Sequence, residues 1–212
     1  MRTALGRDDF FVSAANAAAV AGIEASESWP HGKMVLVGPE ASGKTHLAQV
    51  WTSMTGADVI GVADLADLPP DAVAAAVVIE DADRIAGEAA ETALFHLHNA
   101  VLGQGERILL TARSDPSRWP ITLPDLKSRM QQAGVLKLQG PDDALLAAVM
   151  VKLAADRQLA LGPDLISYAV LRMERSFVAA RHLVGAIDAR ALRDKTRPTK
   201  PMIAALLAEQ AE

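Results

Sequence analysis

The sequence contains no cysteine, so it can form neither a disulfide bond nor a metal site built from thiolates. Aromatic residues make up only 4% of the 212 residues, while half of the chain is hydrophobic, so the core must consist mainly of aliphatic side chains. No apolar run reaches the length of about 20 residues that a membrane-spanning helix needs. The N-terminus also lacks the basic-then-apolar order of a signal peptide. These absences predict a cytoplasmic protein with no membrane contact.

Positive charge is also scarce, since the chain carries a formal net charge of −5. This balance argues against non-specific DNA binding as the main activity, because that binding depends on neutralising phosphates with Lys and Arg. Residues 1–139 hold 11 Lys and Arg against 17 Asp and Glu, whereas residues 140–212 hold 10 against 9. Eight bases lie between Arg172 and Lys200. That stretch predicts a solvated helix face or, alternatively, a surface that contacts phosphates or an acidic partner.

One motif in the chain has a well-defined chemistry, and it fits the pattern Gly-x-x-x-x-Gly-Lys-[Ser/Thr] of a phosphate-binding P-loop. Its residues are Gly38, Pro39, Glu40, Ala41, Ser42, Gly43, Lys44 and Thr45. The glycines allow backbone N–H groups to surround a phosphate, the lysine reaches the β- and γ-phosphates, and the threonine hydroxyl binds Mg²⁺. An apolar run precedes the motif and a helical pattern follows it, whose N-terminus adds a favourable dipole. The sequence therefore predicts a nucleotide site.

Apolar runs and helical patterns alternate over the first 139 residues. The pattern predicts strands at 34–37, 59–62, 76–79, 108–111 and 135–138, and helices at 45–54, 89–101 and 125–131. Such alternation is typical of an α/β domain with a five-stranded parallel sheet and helices on both faces. Ligands of these sheets bind at the carboxyl ends of the strands, where the P-loop lies.

From Gly140 onward only helical patterns follow. We therefore predict two domains, an α/β domain at 1–139 and a small all-helical domain at 140–212. The spacing of apolar residues predicts that Ile166, Val170 and Leu171 face inward on one helix, and that residues 202–208 form a short last helix.

Two acids follow the predicted strand at 76–79 and belong to the same site. Glu80 is expected to orient Mg²⁺, together with Thr45, and Asp81 is expected to polarise the attacking water. Aspartate is the usual first acid at such a strand end, and glutamate is one methylene longer and can crowd the metal. The protein's own ATP hydrolysis is therefore expected to be weak or absent. Thr111, at the end of the next buried strand, is a candidate sensor of the γ-phosphate.

The same pieces, in this order, resemble the DnaA/Hda family of AAA+ ATPases, and most closely its Hda branch, over nearly the whole chain. The resemblance lies in residues 9–16, 38–47, 85–88, 95–99 and 123–129. It implies an AAA+ P-loop domain followed by a helical lid. It also implies that Phe11 and Val12 pack on the adenine and that His46 belongs to the phosphate-loop segment. By the same resemblance, Arg129 is an arginine finger, which stabilises charge on a neighbouring subunit's γ-phosphate.

The function implied by this resemblance is regulatory. A chain holding ADP or ATP with Mg²⁺ would dock on ATP-loaded DnaA, and Arg129 would stimulate hydrolysis of DnaA's ATP, which prevents re-initiation. Further expected partners are the sliding clamp and a second copy of the chain. No clamp-binding peptide is seen in the first six residues, and no helix-turn-helix domain precedes the end at Glu212. Strong direct DNA binding is therefore not expected.

In one position the chain departs from the family. The nucleotide-sensing arginine of the lid falls on Val178, and Arg181, one helical turn later, is the candidate substitute. This departure favours a protein that holds ADP as a structural ligand. The sequence leaves two alternative functions open. One is a helicase-loader-like AAA+ ATPase, since that class shares the sequence Gly-Lys-Thr-His-Leu, and the other is a P-loop kinase of small molecules.

Overall fold

A computed structural model describes Val12, residues 16–68 and residues 75–209. The chain divides into two compact units, one holding Asn16–Gln139 and the other residues 140–209. Over these described residues no helix is long and apolar enough to cross a membrane. Phe11, which is predicted to pack on the adenine, lies outside the described residues.

The first unit is built on a five-stranded parallel sheet with the strand order β2–β3–β4–β1–β5. The strands are β1 Lys33–Val37, β2 Asp58–Gly61, β3 Val77–Glu80, β4 Ile108–Ala112 and β5 Gly134–Lys137. The central strands β1 and β4 are buried along their whole length, which explains their nearly continuous apolar sequences. Strand β1 lies between β4 and β5, and all three are parallel. The loop that follows β1 therefore lies at the carboxyl edge of the sheet, between the ends of its two neighbours.

Helices cover both faces of the sheet. They are α1 Ala17–Glu24, α2 Lys44–Thr55, α3 Glu88–Gly103 and α4 Pro124–Gln131, and short 3₁₀ turns occur at Ser26–Ser28, Pro30–Gly32, Val62–Asp67, Ala82–Arg84 and Pro116–Arg118. On one face α3 and α4 pack against alternate residues of the strands through side chains such as Leu94 and Leu126. On the other face α1 and α2 do the same through Ile23 and Leu47. The sheet is therefore enclosed between two aliphatic layers.

Two tryptophans join the helices of the second layer. The rings of Trp29 and Trp51 stack with their centroids 5.1 Å apart. The Trp29 indole N–H donates to the Gly22 carbonyl oxygen at 2.7 Å, which ties the ring to α1. Trp51 belongs to α2, is fully buried, and its indole N–H meets no acceptor among the described residues.

The second unit consists of four helices around their own core. They are α5 Asp143–Ala155, α6 Pro163–Val170, α7 Phe177–Asp194 and α8 Lys200–Glu209. Three of them begin with a side-chain cap, since Asp142 accepts from the Leu145 N–H at 2.7 Å, Ser176 accepts from the Ala179 N–H at 3.0 Å, and Thr199 accepts from the Met202 N–H at 3.4 Å. The core of this unit is aliphatic and contains no strand among the described residues.

The predicted fold class is confirmed, because five parallel strands flanked by helices lie within one or two residues of the predicted ranges. One burial prediction is wrong. Ile166 and Val170 are buried as predicted, but Leu171 is 71% exposed because α6 ends before it and the helical spacing no longer applies. Two helices differ from the prediction: α1 was not predicted at all, and α8 begins at Lys200, ahead of the predicted 202–208.

Candidate nucleotide-binding site

The P-loop follows β1 and wraps tightly at the carboxyl edge of the sheet. A Cβ atom added to Gly38 would lie 2.7 Å from both the Leu138 carbonyl oxygen and the Ser42 hydroxyl, so only glycine fits there. Gly43 has a φ of 93°, a left-handed conformation that glycine adopts without strain, and it caps α2. The loop therefore has the close turns that bring backbone N–H groups around a phosphate.

Lys44 begins α2 and is held over the loop. Its ammonium donates to the carbonyl oxygens of Gly38 and Pro39, both at 2.7 Å, which uses two of its three N–H donors. Burial and then the positive charge of Arg113 lower the pKa of Lys44, while the charges of Asp81, Asp83 and Glu40 act in the opposite direction. Two cations and several acids thus meet at the edge where the phosphates of a nucleotide are expected.

The two predicted acids lie at the end of β3 but point to different surroundings. Glu80 is the last residue of the strand and alternates with Ile79, so it lies on the face of the sheet that α2 covers. Asp81 has a φ of 55°, and its N–H donates to the Thr111 hydroxyl at 3.1 Å. Its carboxylate lies 3.6 Å from the guanidinium of Arg84, and both side chains are largely exposed. The catalytic roles of Glu80 and Asp81 stay predictions.

Two residues of this site were missed by sequence reasoning. The carboxylate of Asp83 accepts from the Arg113 backbone N–H at 3.0 Å, and its other oxygen is buried without a partner among the described residues. The Arg113 guanidinium lies 2.9 Å from the carboxylate of Glu40 in the P-loop. A signal was available, because Asp83 and Arg113 follow the two buried strands β3 and β4, whose carboxyl ends share the P-loop's edge.

The candidate sensor Thr111 has a structural role in this arrangement. Its side chain is buried, and its hydroxyl accepts the N–H of Asp81 across the neighbouring strand ends. The hydroxyl therefore fixes the unusual backbone conformation of Asp81, while Arg113, after the same strand, contacts the P-loop through Glu40.

The residues present fit a nucleotide with Mg²⁺. Thr45 lies exposed in the first turn of α2, next to Lys44, and Glu80 lies on the face of the sheet that α2 covers. No cluster of three or more His, Cys, Asp or Glu side chains arranged to hold a metal occurs in the part of the chain that the structure describes. Protein sites for Mg²⁺ next to phosphates need no such cluster, because one or two side chains, water and the phosphates complete the coordination.

A second group of charged side chains lies at the opposite, amino end of β1. Lys33 opens the strand, is 2% exposed, and its ammonium lies 3.0 Å from Nε2 of His98 on α3. Burial and the charge of Arg129 lower the pKa of Lys33 to about 8. Burial, Lys33 and, to a smaller extent, Arg129 lower the pKa of His98 to about 4, against a weaker opposing effect of Asn99.

Arg129 therefore belongs to this second group and lies away from its own P-loop. It projects from α4, and its guanidinium carbon lies 5.0 Å from the centre of the Phe95 ring on α3. The sequence placed Arg129 on a short helix, which is confirmed, whereas its neighbours Lys33 and His98 were not predicted. Nothing in the sequence signals them, because they are 65 residues apart.

Three further residues that were predicted to contact the nucleotide lie within the described residues, namely Val12, His46 and Arg181. Val12 is exposed, and His46 is half-buried on α2 and has contacts of its own. Arg181 and Val178 are exposed on α7 of the second unit, one turn apart on the same side. The prediction that Arg181 replaces a missing nucleotide sensor stays a prediction.

Comparisons with known proteins define the fold. No protein-family model matches the chain. An uncharacterized protein of Haemophilus influenzae is 23% identical over an alignment of 185 residues, which covers 80% of this chain and 79% of that protein. Domain III of the replication initiation protein DnaA of Thermotoga maritima is 18% identical, with a TM-score of 0.81 and coverage of 98% of this chain and 97% of that chain.

Two further solved structures are similar. DnaA from Aquifex aeolicus bound to AMPPCP is 16% identical, with a TM-score of 0.72, and the match covers 88% of this chain and 66% of that chain. The Holliday junction branch migration motor RuvB of Thermotoga maritima is 17% identical, with a TM-score of 0.71, and the match covers 94% of this chain and 70% of that chain. At these identities the likeness concerns the fold alone, and the described chain has the fold that DnaA domain III and RuvB share.

Proposed function

We propose that this chain is a nucleotide-binding regulator of replication initiation, similar to the Hda branch of the DnaA/Hda family. In this proposal the P-loop holds ADP or ATP with Mg²⁺, and Arg129 acts on ATP that is bound to DnaA. The AMPPCP-bound DnaA structure supports the first part, because it shares this fold. The tight P-loop and the pair of cations Lys44 and Arg113 support it further, since both suit an anionic ligand.

The position of Arg129 is the observation that carries the second part. Its charge acts on Lys33, at the amino end of β1, whereas the P-loop follows the carboxyl end of the same strand. The five residues of β1 separate these ends by roughly 13 Å, at about 3.3 Å per residue. An arginine near the amino end of β1, with the length of the strand between that end and the phosphate loop, is suited to a nucleotide that another molecule brings.

The surroundings of Asp81 support weak hydrolysis of the chain's own nucleotide. Its carboxylate lies 3.6 Å from the guanidinium of Arg84, a cation that competes with an attacking water for this carboxylate. We therefore propose that the resident nucleotide mainly organises the protein. Contact with the sliding clamp and self-association stay predictions.

The test measures phosphate release from ATP-loaded DnaA in the presence of this protein and its nucleotide. Arg129→Ala should lower the stimulated rate by about 10³-fold, or to the intrinsic rate of DnaA if that is reached first, because arginine fingers contribute on the order of 10³-fold or more. Lys127→Ala is the matched control, since it removes an exposed positive charge from the same helix. Stimulation that survives Arg129→Ala contradicts the proposal.

A further inference from the structure

One side of α3 is directed at α4, the helix that carries Arg129. Glu91, Phe95 and His98 are spaced by four and three residues, which places them on the same side of α3. Each meets a different element: Glu91 contacts the segment before α4, Phe95 contacts Arg129, and His98 contacts Lys33 of β1. Phe95 also packs against the core, but Glu91 and His98 are buried polar side chains, which core packing does not explain.

Glu91 fixes the start of α4. Its carboxylate accepts from the Thr122 N–H at 3.0 Å and the Leu123 N–H at 2.7 Å, and from the Thr122 hydroxyl at 3.0 Å. Leu123 is the residue that precedes the first turn of α4. Burial raises the pKa of Glu91, since the side chain is 2% exposed, but these hydrogen bonds outweigh burial and keep the pKa below its ordinary value. A buried carboxylate so held leaves α4 little freedom to shift along α3.

The guanidinium of Arg129 lies over the face of the Phe95 ring. A cation above an aromatic ring is attracted by the ring's negative face, and the plane of the guanidinium keeps its five N–H donors at its edges. Within the described residues, no ion pair or hydrogen bond joins Arg129 to an acid or a carbonyl. With the Phe95 ring as its neighbour, Arg129 keeps its N–H donors available for the oxygens of a phosphate, which guanidinium binds in a two-pronged manner.

The charges below Arg129 make the site receptive to an anion. The Lys33 ammonium lies 3.0 Å from His98, and the positive charge of Arg129 acts on both side chains and lowers the pKa of each. Buried like charges without an opposing acid cost stability, and such clusters occur preferentially at functional sites. A phosphate that reaches Arg129 from outside would relieve this repulsion.

We propose that α3 is the platform that positions Arg129: Phe95 holds the guanidinium by its face and Glu91 fixes the helix beneath it, so that the N–H edges point to a nucleoside triphosphate carried by a partner protein. Phe95 and Glu91 are positioning residues in this scheme, and the inference rests on the function proposed for Arg129. The substitution Phe95→Leu separates holding from packing, because leucine keeps an apolar side chain but has no ring. Phe95→Tyr keeps the ring.

The experiment compares the wild type, Phe95→Leu, Phe95→Tyr and Arg129→Ala in the full chain. The first readout is the mobility of the Arg129 Nε–H group, measured by ¹⁵N relaxation without any partner. The second is stimulation of ATP hydrolysis by DnaA, with the maximal rate separated from the half-saturating concentration. Phe95→Leu should make the Nε–H mobile and lower the maximal rate by about two- to five-fold at an unchanged half-saturating concentration. Phe95→Tyr should keep the Nε–H mobility and the maximal rate at their wild-type values.

The outcomes separate the two proposals. If Arg129→Ala abolishes stimulation but Phe95→Leu leaves both the Nε–H order and the maximal rate unchanged, the platform is refuted and the proposed function stands. If stimulation survives Arg129→Ala, the proposed function fails. The relaxation measurement alone then tests whether Phe95 positions Arg129. Glu91→Gln is a second variant for the same purpose. It should accelerate hydrogen exchange of α4 amides, and exchange equal to the wild type overturns the role of Glu91.

Discussion

The buried histidine of α3 makes folding sensitive to acid. His98 is 3% exposed, and burial together with the charges of Lys33 and Arg129 lowers its pKa from 6.5 to about 4. In the unfolded chain the imidazole regains its ordinary pKa, so the unfolded state binds more protons between about pH 4 and 6.5. The contribution of His98 to the free energy of unfolding is therefore largest above pH 6.5, and it falls as the pH is lowered from 6.5 to about 4.

The size of this effect follows from the two pKa values. At about pH 5 nearly all unfolded chains carry the proton on His98, whereas about a tenth of the folded molecules do. The free energy of unfolding should consequently fall by about 2 kcal/mol between about pH 7 and about pH 5 from this residue alone.

The assay is urea unfolding at several pH values for the wild type and His98→Gln. Glutamine does not titrate, and its amide oxygen can accept from Lys33, so the variant should lose about 2 kcal/mol less than the wild type over the same pH range. All other ionisable side chains are common to both proteins, and the comparison cancels their contributions. If both proteins lose the same stability on acidification, His98 is not a neutral buried group, and the charge arrangement around Arg129 is wrong.

Two substitutions test the P-loop and the core separately. Gly38→Ala places a Cβ atom 2.7 Å from the Leu138 carbonyl oxygen, so the affinity for a fluorescent adenine nucleotide should fall by at least about tenfold, whereas Gly103→Ala, with no atom within 4 Å of the new Cβ, should bind normally. Equal affinities would contradict the tight loop. Leu94→Ala, fully buried under the sheet, should cost about 2–5 kcal/mol in urea unfolding, and the exposed Leu192→Ala should stay within about 0.5 kcal/mol. A similar cost for both would disprove this assignment of the core.

The elements that were predictable from the sequence are those whose signal is local. The central strands are continuous apolar runs because both faces of the sheet are covered, and the P-loop is recognisable because its backbone turn requires glycines at fixed positions. Helix α1 lacks such a signal: it is short and rich in alanine, and Asn16, the residue before it, forms no side-chain cap. Its position depends on packing of Ala19 and Ile23 against the sheet layer.

The residues around Arg129 escaped prediction for a different reason. Glu91 reads as an ordinary acid in the first turn of a helix, where negative charge is favourable and solvated. Its role depends on partners 31 and 32 residues later in the chain, which only the folded backbone brings together. The same holds for Asp83 and Arg113, which lie 30 residues apart. Local patterns locate strand ends, but the pairing of side chains across them follows from sheet order.

The stacked pair of Trp29 and Trp51 gives this protein an internal optical probe. Trp51 lies on the helix that begins with Lys44, while Trp29 is anchored to α1, so a movement of one helix against the other changes the distance and tilt of the two rings. Two indoles in contact couple their electronic transitions, which produces a near-ultraviolet circular dichroism signal that depends on their mutual orientation. A displacement of α2 against α1 on nucleotide binding would therefore be visible in the unlabelled protein, through the spectrum of these two side chains.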